Sequence, residues 1–243
     1  MGSTAQDQHS ILLPGVLGGL GPAATVDFLT RVIEATDAAT DQDHLPLLVD
    51  HNPRVPNRHA AIAGHGPSAA PALIAMARRL ERAGADFLVM PCNTAHAFAP
   101  DISAAITIPL INMIELVAST VPGGSRVGVM AAEGCLQSQL YQRALARYGC
   151  SALTWNSSEL DHFMALVYRI KAGDRAESIR HDLRDLAESL LSAGAEVLIA
   201  GCTEIPLFLS QERDQLPLLS STDLLVSQTI ALARGLLPLE SRT

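Results

Sequence analysis

A segment in the middle of the chain is repeated near its end. Leu80–Thr94 reads LERAGADFLVMPCNT and Leu190–Glu204 reads LLSAGAEVLIAGCTE, at an offset of 110 residues. Leu, Ala, Gly, Ala, Leu and Cys are identical, Asp86 aligns with Glu196, and Val89 aligns with Ile199. Two weaker echoes run in the same order, 108 to 113 residues apart. Gly15-Val16-Leu17 matches Gly128-Val129-Met130, and Ile108–Ile111 matches Leu216–Leu219. A duplication of this kind restricts the chain to two similar halves.

The local grammar of the repeat gives the fold class. An amphipathic helix ends, Ala-Gly-Ala turns the chain, a short apolar strand comes next, and a cysteine sits just beyond it. Gly84 and Gly194 suit helix C′ positions, which require positive φ. Strands are expected near 11–17, 45–50, 86–90 and 108–112, then 126–130, 151–155, 196–200 and 217–220. Helices are expected near 22–38, 68–83 and 97–106, then 136–148, 159–171, 176–193 and 223–236. Short apolar strands alternating with helices predict an α/β fold with mainly parallel sheets covered on both faces. Such sheets bind ligands beyond the carboxyl ends of their strands, where both cysteines fall. Two lobes related by a pseudo-dyad, 1–113 and 114–222, would set Cys92 and Cys202 on opposite sides of one cleft. The C-terminal helix, 223–243, is expected to return to the first lobe.

Composition narrows the function. Acidic residues outnumber basic ones 25 to 17, a formal charge of −8, which argues against nucleic acid or an anionic membrane as partner. An anionic substrate would therefore need a locally positive site. Four cysteines in 243 residues are not a disulfide scaffold. Met1–Ser10 lacks a basic leader and a long apolar run, so neither signal peptide nor membrane span is read. Gln6 argues against myristoylation. The expected compartment is a reducing cytoplasm with free thiols.

The duplicated cysteines carry the chemistry. Inverting an α-carbon takes a base on one face and an acid on the other. A free thiol, with a pKa of about 8.5, can serve in either role once tuned. Each cysteine sits where a strand gives way to a helix, a setting expected to lower the thiol pKa. The loop Gly18-Gly19-Leu20-Gly21-Pro22 opens a helix, and its free N–H groups at Gly19 and Gly21 can cradle a carboxylate. Thr25, Asn93, Thr94 and Thr203 can add donors, although each also suits an ordinary cap. Lys171 is the only lysine in the chain.

The chain resembles the cofactor-independent aspartate/glutamate racemase family. The matching stretches are Gly15–Asp27 (GVLGGLGPAATVD), Asn52–Arg58 (NPRVPNR), Pro91–His96 (PCNTAH) and Gly201–Pro206 (GCTEIP). The resemblance implies two Rossmann-like lobes, an active site in the cleft between them, neither metal nor pyridoxal phosphate, and a homodimer. It assigns the acid–base roles to Cys92 and Cys202. It also implies that Arg58 and Lys171 hold the side-chain carboxylate of a small acidic amino acid, and it adds Asn52 and Glu204 to the substrate contacts. Arg fits a carboxylate in bidentate fashion; Arg54 is a weaker candidate. The related glutamate racemases carry His where this chain has Glu204.

Some residues permit other readings. Gly19–Ala24 fits the dinucleotide fingerprint G-x-G-x-x-A, but Asp50 lies 31 residues beyond Gly19, later than the usual spacing of about 20. Cys92, His96 and Cys202 could form a zinc site, yet no C-x-x-C or H-x-x-x-H pair supports one; His96 is read as packed or solvated. His44, His51, His59 and His65 are read as surface residues, and Cys150 as structural. The family's Thr-x-Gly-Thr turn is Ala132-Glu133-Gly134-Cys135 here, which loses two hydroxyls and puts a third thiol at the cleft border. The alternative functions are a cysteine-dependent isomerase or decarboxylase of a small dicarboxylate, similar to maleate isomerases, and a non-catalytic binder of acidic ligands.

Overall fold

The computed structural model describes residues 11–210 and 214–239. The leader reading at Met1–Ser10 lies outside the described residues, as does the end of the 223–243 segment.

The chain forms two parallel sheets. In the first, β1 (Pro14–Gly18) lies between β2 (Leu48–His51) and β3 (Phe87–Val89). The second runs β5-β4-β6-β7, with β4 at Arg126–Ala131, β5 at Ser151–Leu153, β6 at Val197–Gly201 and β7 at Leu218–Ser220. All its pairings are parallel. The expected strand at 108–112 reduces to one bridge, Leu110 to Leu88. The chain leaves the sheet there because Asn112 caps the next helix, its Oδ1 accepting the amides of Ile114 at 3.0 Å and Glu115 at 3.3 Å.

Among the described residues the α-helices are α1 (Pro22–Ala35), α2 (Arg58–Ile62), α3 (Ala70–Arg82), α4 (Ala99–Ala104), α5 (Met113–Thr120), α6 (Glu133–Gln137), α7 (Leu140–Arg147), α8 (Ser157–Lys171), α9 (Glu177–Ser192) and α10 (Ser221–Ala233). Three differ from expectation. The single helix expected at 136–148 is two, α6 and α7, separated at Gln139, whose φ of 53° is left-handed. Neither α2 nor α5 is expected from the sequence; both are short, five and eight residues.

The duplication is visible in atomic detail. Gly84 and Gly194 end α3 and α9 at φ of 95° and 99°. The Asp86 carboxylate accepts the Leu13 amide at 2.7 Å, and the Glu196 carboxylate accepts the Arg126 amide at 2.8 Å. A Cβ added at Gly15 would lie 2.6 Å from Leu88 Cδ2, and one at Gly128 would lie 2.6 Å from Leu198 Cδ2. Glycine therefore stands in the first half of both central strands because a leucine of the neighbouring strand fills the place of its side chain.

Apolar layers cover both faces of each sheet. Leu73, Met76 and Leu80 pack on one face of the first, and Phe28, Val32, Leu225 and Leu232 on the other. On the second, Val117, Tyr141 and Leu145 lie on one face, and Phe163, Val167, Leu183 and Leu186 on the other. Each fully buried leucine in these layers stabilises the fold by about 1.5–3 kcal/mol. Helix α10 comes after β7 of the second sheet yet packs against Val16, Phe87 and Val89 of the first. The chain thus crosses back between the halves beneath the carboxyl ends of β3 and β6, where the cysteines stand.

Candidate active site

Cys92 is joined to β3 by Met90 and Pro91. Proline supplies no amide for further pairing, and a tight turn closes with Cys92 N donating to Met90 O at 2.7 Å. Cys202 comes directly after Gly201, the last residue of β6. Both cysteines are buried, at 7% and 6% exposure, and both line one cavity with Leu20, Arg58, His59, Asn93, Thr94, Ala132, Lys171, Thr203 and Glu204. The cavity is small, about 10 Å³, roughly the room one water needs.

The two thiols have different partners. Cys202 Sγ donates to Glu204 Oε2 at 3.0 Å. Cys92 Sγ makes a long contact of 3.8 Å with the Leu20 carbonyl. Burial, then the Glu204 carboxylate, push the Cys202 thiol well above its ordinary value, while Lys171 pulls the other way. The expected lowering by a helix N-terminus does not operate at Cys202, because the chain beyond it makes only a single 3-10 turn, Ile205–Leu207. At neutral pH, Cys202 is a protonated thiol hydrogen-bonded to a carboxylate.

The basic groups are already engaged. Lys171 Nζ lies 3.7 Å from Glu204 Oε1. Burial works to lower the Lys171 pKa, but Glu204 and the two thiols outweigh it and raise the value. Arg58, at the first turn of α2, donates to the carbonyls of Val55, Pro56 and Leu20 at 3.2, 3.1 and 2.7 Å. Arg54 is exposed.

Of the residues singled out in the sequence, Cys92, Cys202, Arg58, Asn93, Thr94, Lys171, Thr203 and Glu204 come together at the cavity. Gly19, Gly21, Thr25 and Asn52 are not among its lining residues. The Gly19 amide donates to Thr25 Oγ1 at 2.9 Å, so each satisfies the other. Gly19 has φ of 80°, and a Cβ there would strike the Asn52 backbone at 2.5 Å. Asn52 Oδ1 accepts the Arg54 amide at 3.0 Å in a local turn. Gly21 stands behind the cavity, where its missing side chain leaves room for Glu204 Oε1, 3.0 Å from an added Cβ.

The sequence suggests a surface position for His59, and the structure corrects this. Its ring lines the cavity, and Nδ1 accepts the Gly134 amide at 3.2 Å, joining α2 to α6. Burial, then Lys171 and Arg58, lower its pKa to about 4, against a small opposing pull from Glu204. The signal in the sequence is Asn57, whose Oδ1 caps α2 at His59 N (2.9 Å) and so puts residues 58 and 59 together in the first turn. The third thiol also differs from expectation. Cys135 is fully buried among Val129, Tyr141 and Leu145, so Ala132 alone of that turn faces the cavity.

The rival readings lose their geometry. Asp50 is held by Arg79 at 2.6 Å. Both ring nitrogens of His96 serve the backbone, Nδ1 at 2.9 Å from Cys92 O and Nε2 accepting the Met113 amide at 3.1 Å. Among the described residues, no group of three or more His, Cys, Asp or Glu is placed to hold a metal ion, and no helix is long and apolar enough to cross a membrane.

Two similar parallel α/β lobes meeting at a polar cavity define a two-lobed racemase fold, and comparison with known proteins agrees. The profile of the Asp/Glu/Hydantoin racemase family matches residues 17–229, and the chain belongs to that family. It is similar to the broad specificity amino-acid racemase RacX of Bacillus subtilis (strain 168), 26% identical over 225 residues covering 89% of this chain and 96% of that protein. It is also similar to an aspartate racemase of Picrophilus torridus, with a TM-score of 0.83, 26% identity and coverage of 91% of this chain and 94% of that one. A glutamate racemase from Deinococcus radiodurans is 32% identical over 162 residues, 64% of this chain and 53% of the relative. The protein is a racemase of this family.

Proposed function

We propose that the protein inverts aspartate or glutamate without a cofactor, with Cys92 and Cys202 as the two acid–base groups. The observation that carries this reading is the placement of both thiols, from equivalent strand ends of the two lobes, on one small cavity with Lys171 and Arg58. One sulfur, as thiolate, takes the α-proton. The electron pair passes into the α-carboxylate, which the donors of Asn93, Thr94 and Thr203 are placed to receive, while Arg58 and Lys171 hold the side-chain carboxylate. The opposite thiol returns its proton to the other face. Glu204 holds the proton of Cys202 in reserve and is displaced from Lys171 as a substrate carboxylate arrives.

The space is too small for an amino acid, so binding must open the cavity on the side of His59 and Gly134 and break the bond between them. The lobes proposed are 1–113, joined by the C-terminal helix 223–243, and 114–222. The remaining features of the proposal are a homodimer in the cytoplasm, with no nucleic-acid partner. The Lys171–Glu204 pair supports a second reading, a broader substrate range like that named for RacX, because an acidic side chain has to compete with Glu204 for the lysine.

The test is proton NMR of metal-free protein with both enantiomers of aspartate and glutamate, and a panel of neutral amino acids, in D₂O. Loss of the α-proton signal with appearance of the other enantiomer supports the reading and names the substrate. Tight binding of an acid without exchange would favour the non-catalytic binder instead. Conversion of maleate without amino-acid exchange would favour the isomerase.

A further inference from the structure

Directly after Cys92, Asn93 carries a side chain that is almost wholly buried, at 2% exposure. Its Oδ1 accepts the phenol O–H of Tyr141 at 2.6 Å, and its Nδ2 donates to Ser221 Oγ at 3.1 Å. The Ser221 hydroxyl donates to Ala200 O at 2.7 Å, two residues before Cys202. The tyrosine ring lies across the last residue of β6, since a Cβ added at Gly201 would sit 2.9 Å from Tyr141 Cε2. Tyr141 and Ser221 are both at 0% exposure.

The network therefore runs through the core from the neighbour of one thiol to the strand that carries the other. It joins four elements: the end of β3, α7, the first turn of α10, and β6. Proton transfer as proposed uses neither the phenol nor the Ser221 hydroxyl. Burying this many polar atoms is costly unless all are satisfied, and here they are paired.

We propose that Tyr141, Asn93 and Ser221 form a positioning device that fixes the separation of the two thiols, so that both reach one α-carbon at once. This rests on the two-thiol reading above. Inversion is sensitive to that separation because reacting groups displaced by about 1 Å can lose on the order of 100-fold in rate. One-sided exchange is less sensitive, since it needs a single sulfur. The thiolate takes the α-proton, forming S–H as C–H breaks, and the pair stays on the substrate. With the opposite thiol out of reach, the first S–H exchanges with solvent and returns a deuteron to the same face, giving the starting enantiomer labelled.

The experiment compares wild type with Tyr141→Phe and Ser221→Ala in D₂O at low conversion. It reads deuterium in the recovered starting enantiomer against deuterium in the inverted product, with a thermal melt of each protein. In wild type the label should enter almost wholly with inversion. In the variants inversion should fall by about 10- to 100-fold, while label in the starting enantiomer rises relative to it by about tenfold or more. Ser221→Thr, which keeps the hydroxyl, should move the ratio back toward wild type. If Ser221→Ala does not fold, Tyr141→Phe, which keeps the ring, carries the test alone. Inversion and exchange falling in step, or inversion at the wild-type rate, would overturn the proposal. Cys202→Ala serves as the control: if it still inverts substrate, the two-thiol reading itself fails.

Discussion

The strand end at Cys92 and the strand end at Cys202 share a frame and differ in chemistry. Up to the cysteine the two halves match: helix-ending glycines at φ of 95° and 99°, a carboxylate on an amide at the start of the central strand, and a glycine against the neighbouring leucine. From the cysteine onward they part. Cys92 Sγ makes a long 3.8 Å contact with the Leu20 carbonyl, whereas Cys202 donates to the Glu204 carboxylate at 3.0 Å with Lys171 behind it. Parallel α/β packing constrains the frame, and nothing in that packing constrains the residues past the strand. A racemase does not need identical bases. Because enantiomers have equal free energies, kcat/KM must be equal in the two directions. Unequal thiols show themselves in kcat and KM taken separately.

The symmetric half of this comparison is tested by the cysteines. Cys92→Ala and Cys202→Ala should each lower inversion by about 100- to 10,000-fold, the usual worth of an acid or base group. A loss at only one of the two would mean that the duplication of the cysteines is not functional. The asymmetric half is tested by Glu204→Gln. Removing the carboxylate takes away an influence that raises the Cys202 pKa and leaves Lys171, which lowers it. Loss of activity as the Cys202 thiol deprotonates should therefore begin at lower pH in the variant. We expect kcat to fall by about tenfold or more, within the range for an assisting acid–base group. An unchanged alkaline limb would show that Glu204 does not govern Cys202.

The frame is legible in the sequence because both copies keep the same packing solution, and the cysteines stand out as the polar end of an apolar repeat. Contacts between the halves are less legible. His59 reads as one of four loop histidines until the fold sets α2 against α6. Tyr141 and Ser221 lie 48 and 128 residues from Asn93, and no period in the chain ties them to it. A glycine-rich helix start offers free amides, which makes Gly19 and Thr25 look like carboxylate donors, but the Thr25 hydroxyl fills that role internally. A place in a turn suggests the cleft border for Cys135, and α6 turns its sulfur into the core instead.

The shared frame gives a smaller, paired prediction. Gly15→Ala and Gly128→Ala each force a Cβ to 2.6 Å from a leucine methyl, with alanine and leucine Cβ atoms close behind. Overpacking of this kind costs about 1–3 kcal/mol. Urea denaturation should show losses of similar size for the two variants. A large loss at one and none at the other would mean that the halves are not equivalent in packing.

The smallest effect concerns the walls of the cavity, where one half presents His59 and the other Ala132. Only the first titrates. The folded pKa of His59 is lowered to about 4, against about 6.5 in the unfolded chain. Above pH 6.5 both states are neutral, and the group contributes no pH dependence. As pH falls from 6.5 toward 4, the unfolded chain takes up the proton first, so folding weakens through that window and loses nothing more to this group below it. A backbone amide can only donate, so the Gly134 contact requires Nδ1 without a proton, and protonation there sets donor against donor. His59→Gln removes the titration. The difference in unfolding free energy between pH 7 and pH 4.5 should then shrink by on the order of 1–2 kcal/mol, after allowing for partial exposure of the ring. If the variant tracks the wild-type curve through the window, the neutral, amide-bonded state assigned to His59 is wrong, and the two walls do not differ in the way their residues suggest.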